Sequence, residues 1–411
     1  MSIRKAPCTD TDIVISGGGI VGSTLACILA RQGLRVALVE ASEARSMNDT
    51  QEHDLRVLAI TPASAQIFKA VGAWGPIEEG DIGYFRRIEV WDANGDGSIC
   101  FDSADLCEPT LGYIAANQLI QSALESVIAK LPGITSYRPT ALRKFNLVDD
   151  HIAVELEDGI SLTARLVVGA DGSRSTVRDL AGIENSLHDY HQKALVCIVT
   201  TERSHGNVAR QRFLATGPLA FLPLADAHQC AIVWSTKPEE ATALLGLNED
   251  TFRTALKNAF CGRLGDITWS SSRVAFPLQR AHARRYCQQR VVLVGDAAHC
   301  VHPLAGQGAN LGLLDAAALA EVLDDASAAS CDIGGLSTLR RYERWRKGEN
   351  LAMMMFLDGL NHLFANQFEP VQWARNLGLD VVNAIEPMKH WFMRRAMGLA
   401  GDLPRLARVV S

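Results

Sequence analysis

Three carboxylates, each closing a short apolar run in the company of glycines, carry the chemistry legible in this chain: Glu40, Asp171 and Asp296. Asp296 follows Gly295 and the apolar run 291–294, which has the length and β-branched content of a buried strand. A carboxylate at such a corner accepts hydrogen bonds from the hydroxyls of a sugar or polyol. Behind it comes a loop holding Pro303 and Gly306, then Gly308, Ala309 and Asn310 at the start of a segment with helical apolar spacing (Leu311, Leu314, Ala318, Val322). Free amides around Gly308, Ala309 and Asn310 would turn a partial positive charge toward an anion in front of them. Glu40 closes a second arrangement. Residues 12–16 read as a strand, Gly17-Gly18-Gly19-Ile20-Val21-Gly22 spells G-x-G-x-x-G, 20–31 has helical spacing ended by Gly33, and 35–39 is a second strand. In that context Gly17 serves the tight turn, Gly19 the approach of a pyrophosphate and Gly22 the packing of helix on strand. Glu40 stands 18 residues beyond Gly22, where an acid binds ribose hydroxyls and repels a 2′-phosphate, so the dinucleotide is FAD or NAD and not NADP. The glycine pattern alone is weak evidence; with strand, helix and terminal acid it is specific.

The elements that must position these groups alternate along the chain. A segment through Arg56 leads to Pro62 and a helix at 63–71; Arg56 either reaches the cofactor phosphates or is solvated at the surface. Residues 87–91 and 98–101 form a hairpin about Asn94-Gly95-Asp96-Gly97. A helix containing Asn117 runs from about 111 to 130. Residues 140–168 read as three strands, the third entering Gly169-Ala170-Asp171-Gly172, a second strand-to-turn site with a carboxylate. From 194 to 277 the pattern is antiparallel strand, interrupted by one helix near 249–260. The chain from 336 on is helical, with an apolar Met353-Met354-Met355-Phe356 face expected in the core. Cofactor-binding segments (1–80, 111–185 and 280–345) thus enclose a strand-rich domain (81–110 and 186–279), with 346–411 a helical C-terminal region.

Composition bounds the partners. With 411 residues, 48% hydrophobic and 21% charged, the chain supports two intertwined domains with substantial cores. A net charge of −6 and a pI near 6.0 argue against nucleic acid. No apolar run reaches the ~18 residues of a membrane span, and the first residues lack the apolar core of a secretory signal. Ten cysteines without a C-x-x-C pair imply reduced thiols and a cytoplasmic protein. No metal motif is present, and His299 and His302 are expected to be structural at a tight turn rather than bases. Lys389, Arg394, Arg395, Arg405 and Arg408 among Trp391, Phe392 and Met393 make a basic amphipathic tail that touches a bilayer or a partner enzyme, or else packs on its own domain.

The three motifs in this order resemble the FAD-dependent aromatic-ring hydroxylases of the p-hydroxybenzoate hydroxylase type. Across nearly the whole chain the resemblance is to the ubiquinone-biosynthesis hydroxylases, in Ala209-Arg-Gln-Arg-Phe213, Gly217-Pro-Leu-Ala-Phe-Leu-Pro-Leu224, Ile232-Val-Trp-Ser235, His302-Pro-Leu-Ala-Gly-Gln-Gly308, Tyr342-Glu-Arg-Trp-Arg346 and Ala396-Met-Gly-Leu, with Asp402-Leu-Pro404 close behind. Within that group the chain is most similar to the 2-polyprenylphenol hydroxylases. The resemblance implies a Rossmann-like FAD-binding domain with an inserted antiparallel-sheet substrate domain and a helical C-terminus. Gly17, Gly19, Gly22 and Glu40 would hold the ADP half of FAD, and Arg56 takes the cofactor role. Asn117 falls beside the flavin at a place where several relatives carry glutamine. Asp171 and Gly172 would lie near FAD and the transient NAD(P)H, Asp296 would bind the ribityl chain, and Pro303 to Asn310, with Gly306, Gly308 and Ala309, would lie against the isoalloxazine. The implied reaction is hydroxylation of a polyprenylated phenol with NAD(P)H and O2 through a flavin C4a-hydroperoxide; the alternatives are another ring position of a later quinone intermediate, or an unrelated phenol. The flavin carries the chemistry, so no catalytic side chain and no metal are expected. A homo-oligomer, contact with other ubiquinone-biosynthesis proteins and a peripheral place at the inner membrane complete the expectation. A dehydrogenase using the first motif alone would leave Asp171 and Asp296 unexplained. A flavin halogenase would carry Trp-x-Trp, whereas the tryptophans here (74, 91, 234, 269, 345, 373 and 391) never fall two apart. A scaffold that has kept the fold but not the flavin is the third competitor.

Overall fold

The computed structural model describes residues 9–43, 56–93, 95, 97–301, 306–366, 368, 370, 372, 378, 383 and 385–408. Four short, almost wholly apolar strands, Ile13–Ser16, Val36–Val39, Leu166–Gly169 and Val291–Leu293, are buried on both faces, as parallel strands under helices must be. They form the centre of a six-stranded sheet ordered Cys287–Gln288, Val291–Leu293, Leu166–Gly169, Ile13–Ser16, Val36–Val39, Ile134–Tyr137. The registers Ser16↔Gly169, Ser16↔Val39 and Gly169↔Leu293 bring the carboxyl ends of all four strands to one edge. In open sheets of this kind ligands bind at that edge. The first helix, Ile20–Arg31, and a later one, Gln307–Ala328, pack over the sheet; Val21 of the first lies against both Gly295 and Gly312 of the later stretch.

A second sheet is ordered His299–Cys300, Val274–Ala283, Asn185–Thr201, Gln229–Thr236, Gly217–Pro223, Val208–Leu214, Arg87–Asp92, Ser98–Asp102, with Ile267–Ser270 beside Asn185–Thr201. One of its faces buries Leu195, Val199, Phe221 and Trp234 against Phe252 and Leu256 of the helix Glu249–Ala259 and Phe260 at its C-cap. Elsewhere Phe213 meets Met353, Met354, Leu357 and Phe364 of the long helix Leu336–Ala365, together with Val301 and Leu311. The pairing His282↔His299 and Ala281↔Cys300 makes the stretch after Asp296 an edge strand of this second sheet. One short run of chain therefore joins both layers. The fold is α/β, with a doubly wound cofactor sheet, an inserted antiparallel-rich sheet and a helical C-terminal region, as expected.

Local departures have tertiary causes. Gly112–Ala116 is a strand, not the first turn of a helix, because it pairs with Val57–Ile60 and Gly83–Phe85; the helix begins at Asn117. The expected three strands of 140–168 are four: Leu142–Val148, His151–Leu156 and Ser161–Ala164 form their own sheet, and the chain changes sheets at Arg165. An additional helix, Pro238–Gly246, carries proline in its first turn and Glu239 and Glu240 beside its positive end, signals the sequence reading passed over. Met353 and Met354 are core residues, but Met355 is 64% exposed. No helix among the described residues is long and apolar enough to cross a membrane.

Candidate functional site

At the first strand end, the glycines divide the work. Gly17 has φ +104°, and a Cβ there would stand 2.3 Å from the Ala170 carbonyl oxygen. A Cβ on Gly22 would come within 1.9 Å of the Gly17 carbonyl oxygen, so neither position admits a side chain. Gly19 differs: nothing lies within 4 Å of its Cβ position, leaving the N-terminus of Ile20–Arg31 open and without a side-chain cap. Glu40 reaches across this turn. Its Oε2 accepts from the Gly18 N–H at 2.6 Å and its Oε1 from the Ser42 N–H at 2.8 Å, while Gln121 Nε2 donates to the Gly18 carbonyl at 2.7 Å. Beside them lies a cavity of about 210 Å³ lined by Gly18, Ser23, Glu40, Gln121 and Arg138 among others. Arg56 and Asn117 are neighbours, since the Asn117 N–H donates to the Arg56 carbonyl at 3.0 Å; the Arg56 residue is exposed and Asn117 half-buried.

Asp171 closes the adjacent strand end. Both its oxygens are engaged in the following turn, accepting from Ser175 Oγ at 2.5 Å and the Val177 N–H at 3.1 Å, and Gly172 takes a positive φ of +79° to make that turn. The Asp296 corner is a single 3₁₀ turn, Gly295–Ala297, started by Gly295 at φ +58°. Gly295 and Ala297 are buried, yet the Asp296 side chain is exposed. Protein nonetheless surrounds it on nearly every side, and this burial pushes its carboxyl above the usual carboxylate range, with His299 pulling the other way.

Pro303 lies outside the described residues, which resume at Gly306. Gly306 caps the helix Gln307–Ala328 with φ +61°, where a Cβ would strike the Ala59 methyl at 2.7 Å. No side chain caps this helix, so the first-turn amides of Gly308 and Ala309 are placed to meet an anion. The Cβ position of Gly308 has only Val301 near, at 3.7 Å. The Asn310 side chain has a structural task of its own. Its Oδ1 accepts from the Thr61 N–H at 3.0 Å and Ser64 Oγ at 2.7 Å, and its Nδ2 donates to the carbonyls of Ala59 and Gly306 at 2.7 and 2.8 Å. It is a bracket between the strand Val57–Ile60, the helix Pro62–Val71 and the glycine-capped helix, and the anion-facing amides lie one residue earlier.

Two polar clusters went unread in the sequence. Asp315, fully buried in Gln307–Ala328, accepts from His299 Nε2 at 2.5 Å, Arg346 Nε at 2.8 Å, Asn350 Nδ2 at 3.0 Å and the Gly295 N–H at 3.2 Å. Burial alone would push this carboxyl up; the His299 ring and the Arg346 guanidinium outweigh it and hold it down at about 2. A lone acid among Leu311, Leu314, Ala318 and Val322 was the available signal, since a buried carboxylate demands partners. The second cluster joins the sheet to the long helix: the Tyr190 hydroxyl donates to Asp358, and Arg280 pairs with the same carboxylate. Burial first, then Asp358, push the Tyr190 phenol well up. Its members lie 78 or more residues apart, so spacing offers no sign of it.

A family model described as an FAD binding domain matches residues 10–350. The ubiquinone hydroxylase UbiL of Rhodospirillum rubrum is 37% identical over 402 residues, covering 97% of this chain and 93% of that protein. The 3-demethoxyubiquinol 3-hydroxylase of Escherichia coli is 36% identical over 389 residues, covering 95% and 99%. Among solved structures, PqsL of Pseudomonas aeruginosa in complex with 2-aminobenzoylacetate matches with a TM-score of 0.74 at 26% identity, over 90% of this chain and 99% of that one. The p-nitrophenol 4-monooxygenase PnpA of Pseudomonas putida DLL-E4 matches with a TM-score of 0.77 at 21% identity over 95% and 98%, a likeness of fold. A glycine turn with room for a pyrophosphate and an open carboxylate two strands away thus coincide with a match over most of the chain, and the protein belongs to the FAD binding domain family, with FAD as its cofactor and the fold of the p-hydroxybenzoate hydroxylase-type monooxygenases.

Proposed function

We propose that this protein is an FAD-dependent monooxygenase that hydroxylates the aromatic ring of a polyprenylated phenol on the route to ubiquinone, using NAD(P)H and O2. The observation that carries the reading is the nearness of the two ends of the motif set: Val21, at the start of the helix after the glycine turn, packs beside Gly295, the neighbour of Asp296, which supports one ligand reaching both corners. The names of the ubiquinone hydroxylase relatives supply the substrate class.

The residues present suit FAD. Gly19 leaves space for the pyrophosphate at the start of Ile20–Arg31, Gly17 and Gly22 hold that turn shut behind it, and Glu40 has lone pairs for the ribose hydroxyls. Arg56 and Asn117 stand together for the flavin side of the cleft, with Asp171 and Gly172 shaping its wall. Asp296 would accept from the ribityl hydroxyls. FAD bound there supplies the two-electron chemistry that takes hydride from NAD(P)H and passes one atom of O2 to an electron-rich ring. The amides of Gly308 and Ala309, at the helix start capped by Gly306, would favour negative charge on a reduced flavin ring by about 0.3–2 kcal/mol. Phe213, Val301, Leu311, Met353 and Leu357 form a buried apolar cluster that ties the sheet to the helices beside the Asp296 stretch, and apolar surroundings of this kind would suit a prenylated ring. No side chain is assigned as acid or base.

The C-terminal helix Glu386–Ala396 exposes Trp391 and Met388 beside Arg394, a composition suited to the membrane interface where a polyprenyl lipid resides. Peripheral contact with the inner membrane, homo-oligomerisation and contact with other enzymes of the route belong to the same proposal. The test is direct: the purified protein should carry a flavin spectrum, its NAD(P)H oxidation should rise on addition of a 2-polyprenylphenol, and ¹⁸O2 should label the product ring. A flat response across prenylated phenols with retained flavin would sink the substrate class.

A further inference from the structure

Asp315 is the most heavily engaged buried carboxylate near the cofactor corner, and nothing in the reaction as described employs it. It sits in the third turn of Gln307–Ala328, with 0% of its side chain exposed. Two of its partners belong to the stretch that bears Asp296: the Gly295 N–H at 3.2 Å and the His299 ring at 2.5 Å, one residue before and three after that carboxylate. The other two, Arg346 Nε at 2.8 Å and Asn350 Nδ2 at 3.0 Å, project one helical turn apart from the long helix, and Arg346 Nη2 donates to Asn350 Oδ1 at 2.9 Å, locking that pair. His299 is 1% exposed and stacks on the buried Tyr286 ring at 5.9 Å. Asp315 therefore clamps both flanks of a 3₁₀ turn whose only open side chain is Asp296.

A 3₁₀ turn of three residues has little rigidity of its own. Glycine at its head adds freedom. Free of the clamp, Asp296 would sample many orientations, and each ligand molecule bound would have to immobilise it. We propose that Asp315, backed by Arg346 and Asn350, is the positioning residue of the cofactor corner: through the Gly295 N–H and the His299 ring it holds Asp296 ready for the ribityl chain of FAD. It touches no ligand itself. His299 then has a defined task as the intermediary, and its Nδ1, buried and unpartnered among the described residues, is the one polar atom of the clamp left for a cofactor group or a water.

This inference rests on the FAD reading, and the geometry separates the two. The clamp serves the ribityl corner, whereas the ADP half lies at Gly17–Gly22 and Glu40, two strands away. The experiment measures FAD and ADP dissociation constants on apoprotein by flavin fluorescence and calorimetry, for the parent chain, Asp315→Asn, His299→Gln and His299→Leu. Asp315→Asn keeps shape and an acceptor for Arg346 but cannot both accept from Gly295 and hold the ring. It should weaken FAD at least tenfold while ADP changes less than twofold. His299→Gln retains a donor for Asp315 and should keep FAD within threefold of the parent; His299→Leu should match Asp315→Asn. Equal FAD affinity in Asp315→Asn overturns the positioning role, and so does equal loss of FAD and ADP, the mark of general destabilisation. Should Asp315→Asn fail to fold, the His299 pair decides alone: equal affinities in Gln and Leu variants overturn it. A parent chain that binds ADP but not FAD would instead refute the flavin reading.

Discussion

Gly19 and Gly22 belong to one motif yet face opposite constraints, and substitution should separate them. Gly22→Ala forces a methyl against the Gly17 carbonyl oxygen at 1.9 Å. Overpacking of that kind costs about 1–3 kcal/mol or more, so the expected result is a lowered Tm in the apoprotein. Gly19→Ala meets open space; the apoprotein should melt as the parent does while FAD affinity falls, because the new methyl occupies ligand room. Melting curves beside flavin titrations read both. Asp296→Ala removes a charge-assisted acceptor worth about 1.5–3 kcal/mol, or roughly a 10–100-fold rise in the FAD dissociation constant. It should purify pale, and full FAD occupancy would remove Asp296 from the ribityl site. Glu40 carries a subtler lesson. Its oxygens already hold the Gly18 and Ser42 amides, so a ribose must share them, and the acid both shapes the turn and serves the ligand.

Among the elements, the helix Gln307–Ala328 joins the parts of the site. Its start is fastened through Asn310 to Thr61, Ser64 and Ala59, and its middle through Asp315 to the corner and the long helix. Asn310→Ala would strand several buried partners, each costing about 1–3 kcal/mol when unpaired. The expected outcome is a marked fall in Tm together with weaker FAD binding, since the amides of Gly308 and Ala309 lose their support. Acid unfolding offers a second test. Folding lowers the Asp315 pKa from 3.8 to about 2. Its contribution is therefore complete well above pH 4 and lost as pH falls through 2, an effect of roughly 2 kcal/mol. In Asp315→Asn the stability-against-pH curve should start lower at neutral pH and lack that part of its acid limb, as chemical denaturation at stepped pH would show. An unchanged limb would mean that other carboxylates dominate acid unfolding.

Over the whole molecule, the segment from Gly295 to Cys300 links the cofactor sheet to the second sheet, and Val301 just beyond it joins the apolar cluster around Phe213. That arrangement suits a reaction in which ring and flavin must be held together away from water. The outer surface of the C-terminal region gives a further expectation: Met388→Ser with Trp391→Ser should abolish sedimentation with anionic vesicles while leaving flavin content unchanged. Equal sedimentation of variant and parent would show that the helix is not the contact.

Local sequence determined a good deal. Apolar runs ending in glycine and acid marked the cofactor strands, and the spacing Gly17-x-Gly19-x-x-Gly22 with Glu40 specified a nucleotide turn, because strand length, positive φ and close helix packing are local demands. The match over 10–350 placed the chain in its family. What it could not contain was pairing between distant segments. Whether residues 112–116 were strand or helix was decided by the neighbours at 57–60 and 83–85. The side chain of Asn310 is held by partners about 250 residues away, a role that no local spacing could announce. Asp315 read as an anomaly on an apolar stripe, and only the crossing of two helices and a corner turned it into a clamp. Periodicity reports which face of an element is buried, whereas the partners of a buried polar group come from the fold.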